Sequence, residues 1–424
     1  MKFNETYYKK GGEKKYMQPK IYVDKFKIHP SDNQVSLFNS FINNKRFIYN
    51  YQVAAYINSL KNKKDINIRQ LRDNYRKDLK NGNIKLKDDR LINDEFRLSL
   101  ANTPSQISDM TNEDIMKAIK DVKKNKNKKT KKPSILKFRK KSNDKRSFTI
   151  HLKCDTNFKY NHITNTLKIV KVDEPLKLNT RFFHYFTGNE KIKRITISNT
   201  NYGWYISITY EIRKLIKQYP HNNTAIGIDW GIKHFSTDSN NKTFTFNKRK
   251  KIVNYKKYDK MYNKIKKMDF LLASKKLYNK EYYKSNRYQT LKTKRSYLYE
   301  RLANIRRNFL HHVSTHYMKN YDHIIIEGLK PSNMNKNHRL ARKINESMFY
   351  TWKVFLQYKT KLYDKSITLV NPRNTSQTCS KCGHIKKDKN KLKLNDNIFK
   401  CNKCNLKINR DYNAAKNILS LGLM

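Results

Sequence analysis

The pattern of apolar and polar positions changes period several times along this chain, and each change marks a different kind of element. Residues 18–30 read as a β-strand ended by Pro30. Ser31 and Gln34 stand at capping-box spacing, and Val35, Phe38 and Ile42 then fall on one face of a helix. Helical periodicity continues to about Val122, with breaks near Asn81–Asn83 and at Thr103-Pro104. From Ser147 to Ile212 the pattern turns to alternation and β-branched residues, which predicts a small antiparallel sheet or barrel. Its strands are expected around residues 148–152, 167–170, 194–198 and 204–210.

A new unit begins after Tyr219-Pro220. Residues 224–229 form a short apolar strand ending in Asp229, and another strand is expected near Thr243–Phe246. A long basic helical region spans about 250–320. In it Leu298, Leu302, Ile305, Phe309 and Val313 make one buried stripe at helical spacing. His323-Ile-Ile-Ile-Glu327 is a second apolar strand ending in an acid. A helix at about 338–363, a strand at Ser366–Val370 and a final helix over Tyr412–Leu421 complete the pattern. Strands alternating with helices favour a sheet with helical cover.

Charge changes the picture next. The 424 residues hold 94 Lys+Arg against 34 Asp+Glu, a formal net charge of +60. The cations run through every region, with a Lys/Asn-rich segment at Lys123–Lys132. Such a chain suits phosphate neutralisation and counterion release, and 29 Tyr and 20 Phe among the lysines suit base stacking. A ribosome-like or merely solvated basic surface is the alternative, but the charge exceeds what solubility asks for. No apolar run reaches the ~18 residues of a membrane span, and the polar start, Met1–Lys20, lacks a signal-peptide pattern.

Four of the five cysteines form Cys379-Ser-Lys-Cys382 and Cys401-Asn-Lys-Cys404, the spacing of a closed Cys₄ structural zinc ribbon. Metal-type clustering fits a reducing cytoplasm. Cys154, alone in a strand-like stretch, reads as a packing residue. Asp411 lies just beyond the ribbon, at the start of the last helix. Acids at two strand ends and one helix start would repel bound phosphate unless divalent ions lay between them. Singly, each has an ordinary role: a turn-former at Asp229, an ion-pair partner at Glu327, a helix cap at Asp411. Jointly, beside a zinc ribbon in a very basic chain, they point to metal-assisted phosphodiester hydrolysis. His311, His312 and His316 contain an i, i+4 pair that reads as helix surface.

The motifs Gly227-Ile-Asp229-Trp-Gly-Ile, Ile325-Ile-Glu327-Gly-Leu, Asn374-Thr-Ser-Gln-Thr-Cys-Ser-Lys-Cys-Gly383 and Asn409-Arg-Asp-Tyr-Asn-Ala-Ala-Lys-Asn-Ile418 resemble the TnpB family. These are transposon-encoded RNA-guided DNA endonucleases related to miniature type V CRISPR effectors. Residues 26–34 and Arg46–Asn50 are similar to the family's opening strand and helix. Thr103-Pro-Ser-Gln-Ile resembles a later helix start. Ser332-Asn-Met through Leu340-Ala-Arg resembles the stretch after the second acid.

The resemblance implies a multidomain α/β protein: a RuvC/RNase H-like nuclease domain over 223–424, with the zinc ribbon inserted at about 374–408. It also implies a β-barrel wedge domain from 18–30 and 145–222, and a helical recognition lobe over 31–144. Asp229, Glu327 and Asp411 would be catalytic and hold Mg²⁺, two ions with Asp229 bridging. Cys379, Cys382, Cys401 and Cys404 would hold structural zinc. Guide RNA and target DNA are the implied partners, in a prokaryotic cytoplasm at the nucleoid, with a monomer favoured over a dimer. Base pairing would read the target and protein contacts a short flanking motif, with Lys45, Arg46 and Tyr49 on the first helix the expected contacts. A miniature type V CRISPR effector and a nuclease-inactive RNA-guided repressor are the alternatives. Asn371-Pro-Arg-Asn-Thr-Ser and the compact N-terminus lean toward TnpB, and the presence of all three acids argues against the repressor. The sequence departs from many relatives between the two CxxC pairs, where Lys386 to Lys393 stands in place of an Arg. Lysine cannot make that residue's bidentate fork.

Overall fold

The computed structural model describes the chain apart from residues 1–5, 9–13, 17–19, 63–66, 87–89, 127–135, 142–145, 152–157, 180–189, 213–218, 220, 232–233, 246–254, 279–280, 330–347, 388–389 and 394–395. Cys154, the end of the Lys/Asn segment and the stretch around Ser332–Arg342 fall outside the described residues. The chain divides into two units, Met1–Lys214 and Leu215–Met424.

The first unit opens with two short paired strands, β1 (Thr6–Tyr8) and β2 (Lys14–Tyr16), followed by β3 (Lys20–Ile28). Four helices come next: α1 (Asp32–Lys61), α2 (Ile68–Asn81), α3 (Asp94–Ala101) and α4 (Ser105–Lys126). The expected capping box is formed, with the Gln34 N–H donating to Ser31 Oγ at 3.3 Å and the Ser31 N–H to Gln34 Oε1 at 3.1 Å. Gly82 ends α2 in the left-handed conformation (φ 74°), which explains the break read there. The strands are β4 (Ser147–His151), β5 (Phe158–Asn161), β6 (Thr166–Ile169), β7 (Leu176–Lys177), β8 (Lys191–Thr200) and β9 (Gly203–Ile212).

They form an antiparallel sheet ordered β3-β9-β8-β4 and a separate three-stranded sheet β5-β6-β7. Among the described residues no ladder closes either sheet into a barrel, so what is seen is the antiparallel sheet. Phe38 and Phe41 of α1 pack on Phe148 of β4 with ring centroids 5.6 and 5.4 Å apart, which seats α1 on the sheet.

The second unit carries β10 (Ala225–Trp230), β11 (Ser236–Asp238), β12 (Thr243–Phe244), α5 (Tyr255–Tyr278), α6 (Asn286–Asn320), β13 (His323–Glu327), α7 (Phe349–Leu362), β14 (Ser366–Val370), β15 (Ile398–Lys400), β16 (Lys407–Asn409) and α8 (Arg410–Leu423). Five strands make one mixed sheet ordered β12-β11-β10-β13-β14, with β10, β13 and β14 parallel. Leu302, Phe309 and Val313 of the predicted stripe on α6 are buried, and the last two join Trp352 and Leu356 of α7 against Ile226, Ile228, Ile324 and Ile326.

Gly227 lets α8 lie against the backbone of the sheet without an intervening side chain, and Gly422 leaves room for the Ile325 side chain. A Cβ on Gly227 would stand 2.3 Å from the Ala415 carbonyl oxygen and 2.5 Å from the Leu419 nitrogen. One on Gly422 would stand 2.4 Å from Ile325 Cγ2. The obstacle at Gly227 is backbone, which cannot rotate away.

At the strands' starting ends, the Asp322 carboxylate accepts from Lys365 Nζ at 2.5 Å, from the Asn222 N–H at 2.7 Å and from the Thr224 N–H at 3.2 Å. His221 Nδ1 lies 3.0 Å away. Burial opposes the carboxylate charge, yet these donors prevail and hold the group down to about 2. Among the described residues no helix is long and apolar enough to cross a membrane.

Two outcomes are expected. Asp322→Asn leaves the fully buried Lys365 ammonium without its counter-charge, and should cost about 3 kcal/mol in urea unfolding at neutral pH. Because the folded value is depressed, the wild-type contribution is complete above pH ~4 and is lost as pH falls toward 2. Gly227→Ala should lower stability by about 2–3 kcal/mol, read as a fall in Tm.

Candidate active site and metal ribbon

Asp229, next to last in β10, and Glu327, last in β13, lie on neighbouring parallel strands whose register runs Ile226↔Ile324, Gly227↔Ile325 and Ile228↔Ile326. Continuing that register one step sets Asp229 beside Glu327 at the same edge of the sheet. Parallel pairing therefore brings the two acids together, because both strands finish at one end. Asp411 comes from α8, one turn before Ala415, the residue in backbone contact with Gly227. One turn spans about 6 Å along the axis. The close approach at Gly227 thus delivers the third acid to the edge where the first two stand.

Asp411 is not the cap of its helix. Asn409 Oδ1 accepts from the Asp411 N–H at 2.9 Å and the Tyr412 N–H at 3.1 Å. The Asp411 carboxylate is left in the first turn, where the helix dipole favours negative charge.

The electrostatics report the same convergence. Burial first, then the charges of Glu327 and Asp411, push the Asp229 carboxyl well above the usual range, against the pull of Arg410 and the Trp230 N–H. Glu327 is raised by burial and lowered by a hydrogen bond from the Thr375 hydroxyl. Like charges gathered this way call for a compensating cation. Divalent ions held by Asp229, Glu327 and Asp411 would supply that charge.

The four cysteines form a compact cluster, their sulfurs all within 4.8 Å. Cys379 and Cys404 are 3.6 Å apart and Cys382 and Cys401 3.5 Å, near the ~3.8 Å between sulfurs on a tetrahedral zinc. Each CxxC folds as the same knuckle. The Cys379 N–H reaches the His384 carbonyl and the Cys401 N–H the Leu406 carbonyl, both at 2.8 Å. Gly383 (φ 72°) and Asn405 (φ 57°) take the left-handed position after each second cysteine. Phe399, fully buried, packs among the cysteines. This cluster can hold a metal ion such as zinc.

Sequence reasoning missed the residues that tie ribbon and acids together. Thr375 donates to Glu327 Oε1, and its carbonyl accepts from Asn417 Nδ2 at 2.8 Å. The Thr378 carbonyl accepts from Asn417 and Asn413, both at 2.7 Å, and Asn413 Oδ1 accepts from the Ser380 N–H at 2.9 Å. The available signal was the pair Asn413 and Asn417, two amides one helical turn apart facing a Thr-rich loop.

The expected contacts on α1 are placed differently from one another. Tyr49 is only 5 % exposed, and the Arg139 guanidinium sits 3.7 Å over its ring, so it is a core residue and not a stacking surface. The correction has a simple cause: the apolar stripe of α1 runs through position 49. Lys45 Nζ donates to the Ser147 carbonyl at 2.9 Å, and Arg46 to Asn43 Oδ1 at 2.9 Å; both side chains are half-buried. His311 stacks on Phe355 at 4.0 Å, and His316 stands 3.1 Å from Lys242 Nζ. Burial and that ammonium hold His316 below its ordinary value, and the positive charge of Lys242 beside the ring disfavours a metal there.

Comparison with known proteins agrees with the motifs. Residues 207–338 match the family model described as "Probable transposase" (OrfB_IS605), and residues 349–418 match the "Cas12f1-like, TNB domain". InsQ of Escherichia coli strain K12, provisionally named an RNA-guided DNA endonuclease, is 31% identical over 246 residues, 54% of this chain and 57% of InsQ. A CRISPR-associated endodeoxyribonuclease Cas12f1 from an uncultured archaeon is 49% identical over 70 residues, 15% of this chain and 12% of that protein. The chain thus spans less than two thirds of the length of the curated relatives it matches. The structure of a Cas12f1–sgRNA–target DNA complex aligns with 92% of this chain and 83% of that one, with TM-score 0.50 and 17% identity, which is a likeness of fold. By family model, relative and fold together, the chain is similar to the TnpB and Cas12f1 proteins, the resemblance its own motifs carry.

Proposed function

We propose that this chain is an RNA-guided DNA endonuclease of TnpB type that hydrolyses phosphodiesters through Asp229, Glu327 and Asp411. The observation that carries the reading is the meeting of two parallel strand ends and one helix start, each bearing a carboxylate, at one edge of the sheet. The unit over 223–424 acts as a RuvC/RNase H-like nuclease domain with the ribbon at about 374–408 inserted in it. The strands of 18–30 and 145–222 form the wedge, and 31–144 the helical recognition lobe.

Magnesium held by the three acids would supply charge stabilisation to the attacking and leaving oxygens of the phosphodiester. Asp229 is the acid on which the charges of both Glu327 and Asp411 act. Glu327 is oriented by the Thr375 hydroxyl. Asp411 is fixed by the Asn409 cap and by the seat of α8 on Gly227. Arg410, whose charge acts on Asp229, keeps positive charge beside the acids. Zinc on the cysteine quartet is structural and holds the loop that borders α8.

Guide RNA and target DNA are the partners, drawn by the chain's formal net charge of +60. Lys45 and Arg46 are offered as contacts to a flanking motif, with Tyr49 supporting α1 from inside. The place of work is the prokaryotic cytoplasm, at the nucleoid, and a monomer suffices. A second reading, a miniature type V CRISPR effector with the same chemistry, is favoured by the Cas12f1-like match over 349–418.

Asp229→Ala should abolish cleavage while guide RNA and target binding stay near wild type, measured by cleavage and filter-binding assays; retained cutting would refute the assignment. Cys401→Ser should lower bound zinc, measured by elemental analysis, and reduce cleavage at least tenfold together with it. Sequencing the RNA that co-purifies separates the readings. A transcript from a transposon end supports TnpB, and a repeat–spacer RNA supports the effector.

A further inference from the structure

The loop before the ribbon contains a threonine joined to three parts of the site at once. Thr375 is buried, only 4 % exposed. The hydroxyl has one proton and two acceptors in reach, Glu327 Oε1 and the Pro372 carbonyl oxygen at 3.2 Å. The carboxylate is both the closer and the charged acceptor, and takes the proton. Its own carbonyl is held by Asn417 of α8, whose amide also reaches the Thr378 carbonyl. Asn413, one turn nearer to Asp411, bonds the Thr378 carbonyl and the N–H beside Cys379.

We infer that Thr375 is a positioning residue that fixes the Glu327 carboxylate relative to Asp411, with Asn417 relaying the constraint from α8. The inference rests on the nuclease reading above and deepens it. Glu327 ends its strand, and its far carboxylate oxygen must stay free for a cation. One hydrogen bond from a buried hydroxyl on the near oxygen fixes the rotation of the group while leaving the other oxygen available. Because Thr375 and Asp411 share α8 as an anchor, a displacement of the helix moves both acids together. Partners that orient metal-binding carboxylates typically affect metal affinity or activity 10- to 100-fold.

The test uses the full-length protein and two variants, Thr375→Val, which keeps the shape and loses the hydroxyl, and Thr375→Ser, which keeps the hydroxyl. With zinc content and Tm at wild-type values, Thr375→Val should bind Mn²⁺ at least tenfold more weakly in a titration of the RNA-free protein followed by electron paramagnetic resonance. Its kcat for target cleavage should fall about tenfold or more with KM for target DNA unchanged, and Thr375→Ser should restore both to within about threefold. Equal Mn²⁺ affinity in Thr375→Val and wild type overturns the inference, as does a loss that tracks zinc content or Tm. A wild-type protein that does not cut refutes the nuclease reading instead, and the Mn²⁺ titration still decides the role of Thr375.

Discussion

Everything at the candidate site depends on how close a helix can come to a strand. Strands and helices normally pack with a layer of side chains between them, which keeps backbones well apart. At Gly227 that layer is missing, and the peptide of α8 lies on the peptide of β10. Any side chain at position 227 would lift the helix, and its first turn would leave the edge where the parallel strands end. The motif Gly-Ile-Asp therefore couples two functions within three residues: the glycine admits the helix, and the aspartate meets what the helix brings.

Convergence of three carboxylates is an electrostatic cost that the fold does not relieve by itself. The Arg410 charge acts on Asp229, and the Thr375 hydroxyl donates to Glu327. A site left this negative inside a chain with formal charge +60 is selective in two ways. Long-range attraction gathers polyanions to the surface, and the local field admits them to the acids only with cations present. The ribbon acts mechanically beside this: its knuckles are small and closed, and their hydrogen bonds to Asn413 and Asn417 run into the helix that carries Asp411.

Features encoded locally were legible in the sequence. The capping box at Ser31 needs only residues 31 and 34, and it forms as read. The cysteine spacing fixes the knuckles because each closes within a few residues. The strands ending in Asp229 and Glu327 were visible as apolar runs stopped by acids, since parallel strands buried on both faces leave no alternation to confuse with helix. What was hidden is non-local. Thr375 looks like a turn residue until β13 and the loop are folded together, 48 positions apart in sequence. Strand β11 is Ser-Thr-Asp, polar throughout and wholly buried, so no apolar pattern marks it as a strand. Tyr49 resembles a stacking side chain among cations, and only packing shows that Arg139 already covers it.

The Asn409 cap has a consequence for how the site is assembled. By satisfying the first amides of α8, it lets the helix start without enlisting the Asp411 carboxylate. The three acids come from distant stretches, so the like-charge cluster forms only after the sheet and the last helix have docked. Until then the final segment can be an ordinary capped helix with a free acid, and electrostatic repulsion arises only at the step where these segments meet. A divalent ion arriving at that step would act as a latch on an otherwise finished fold.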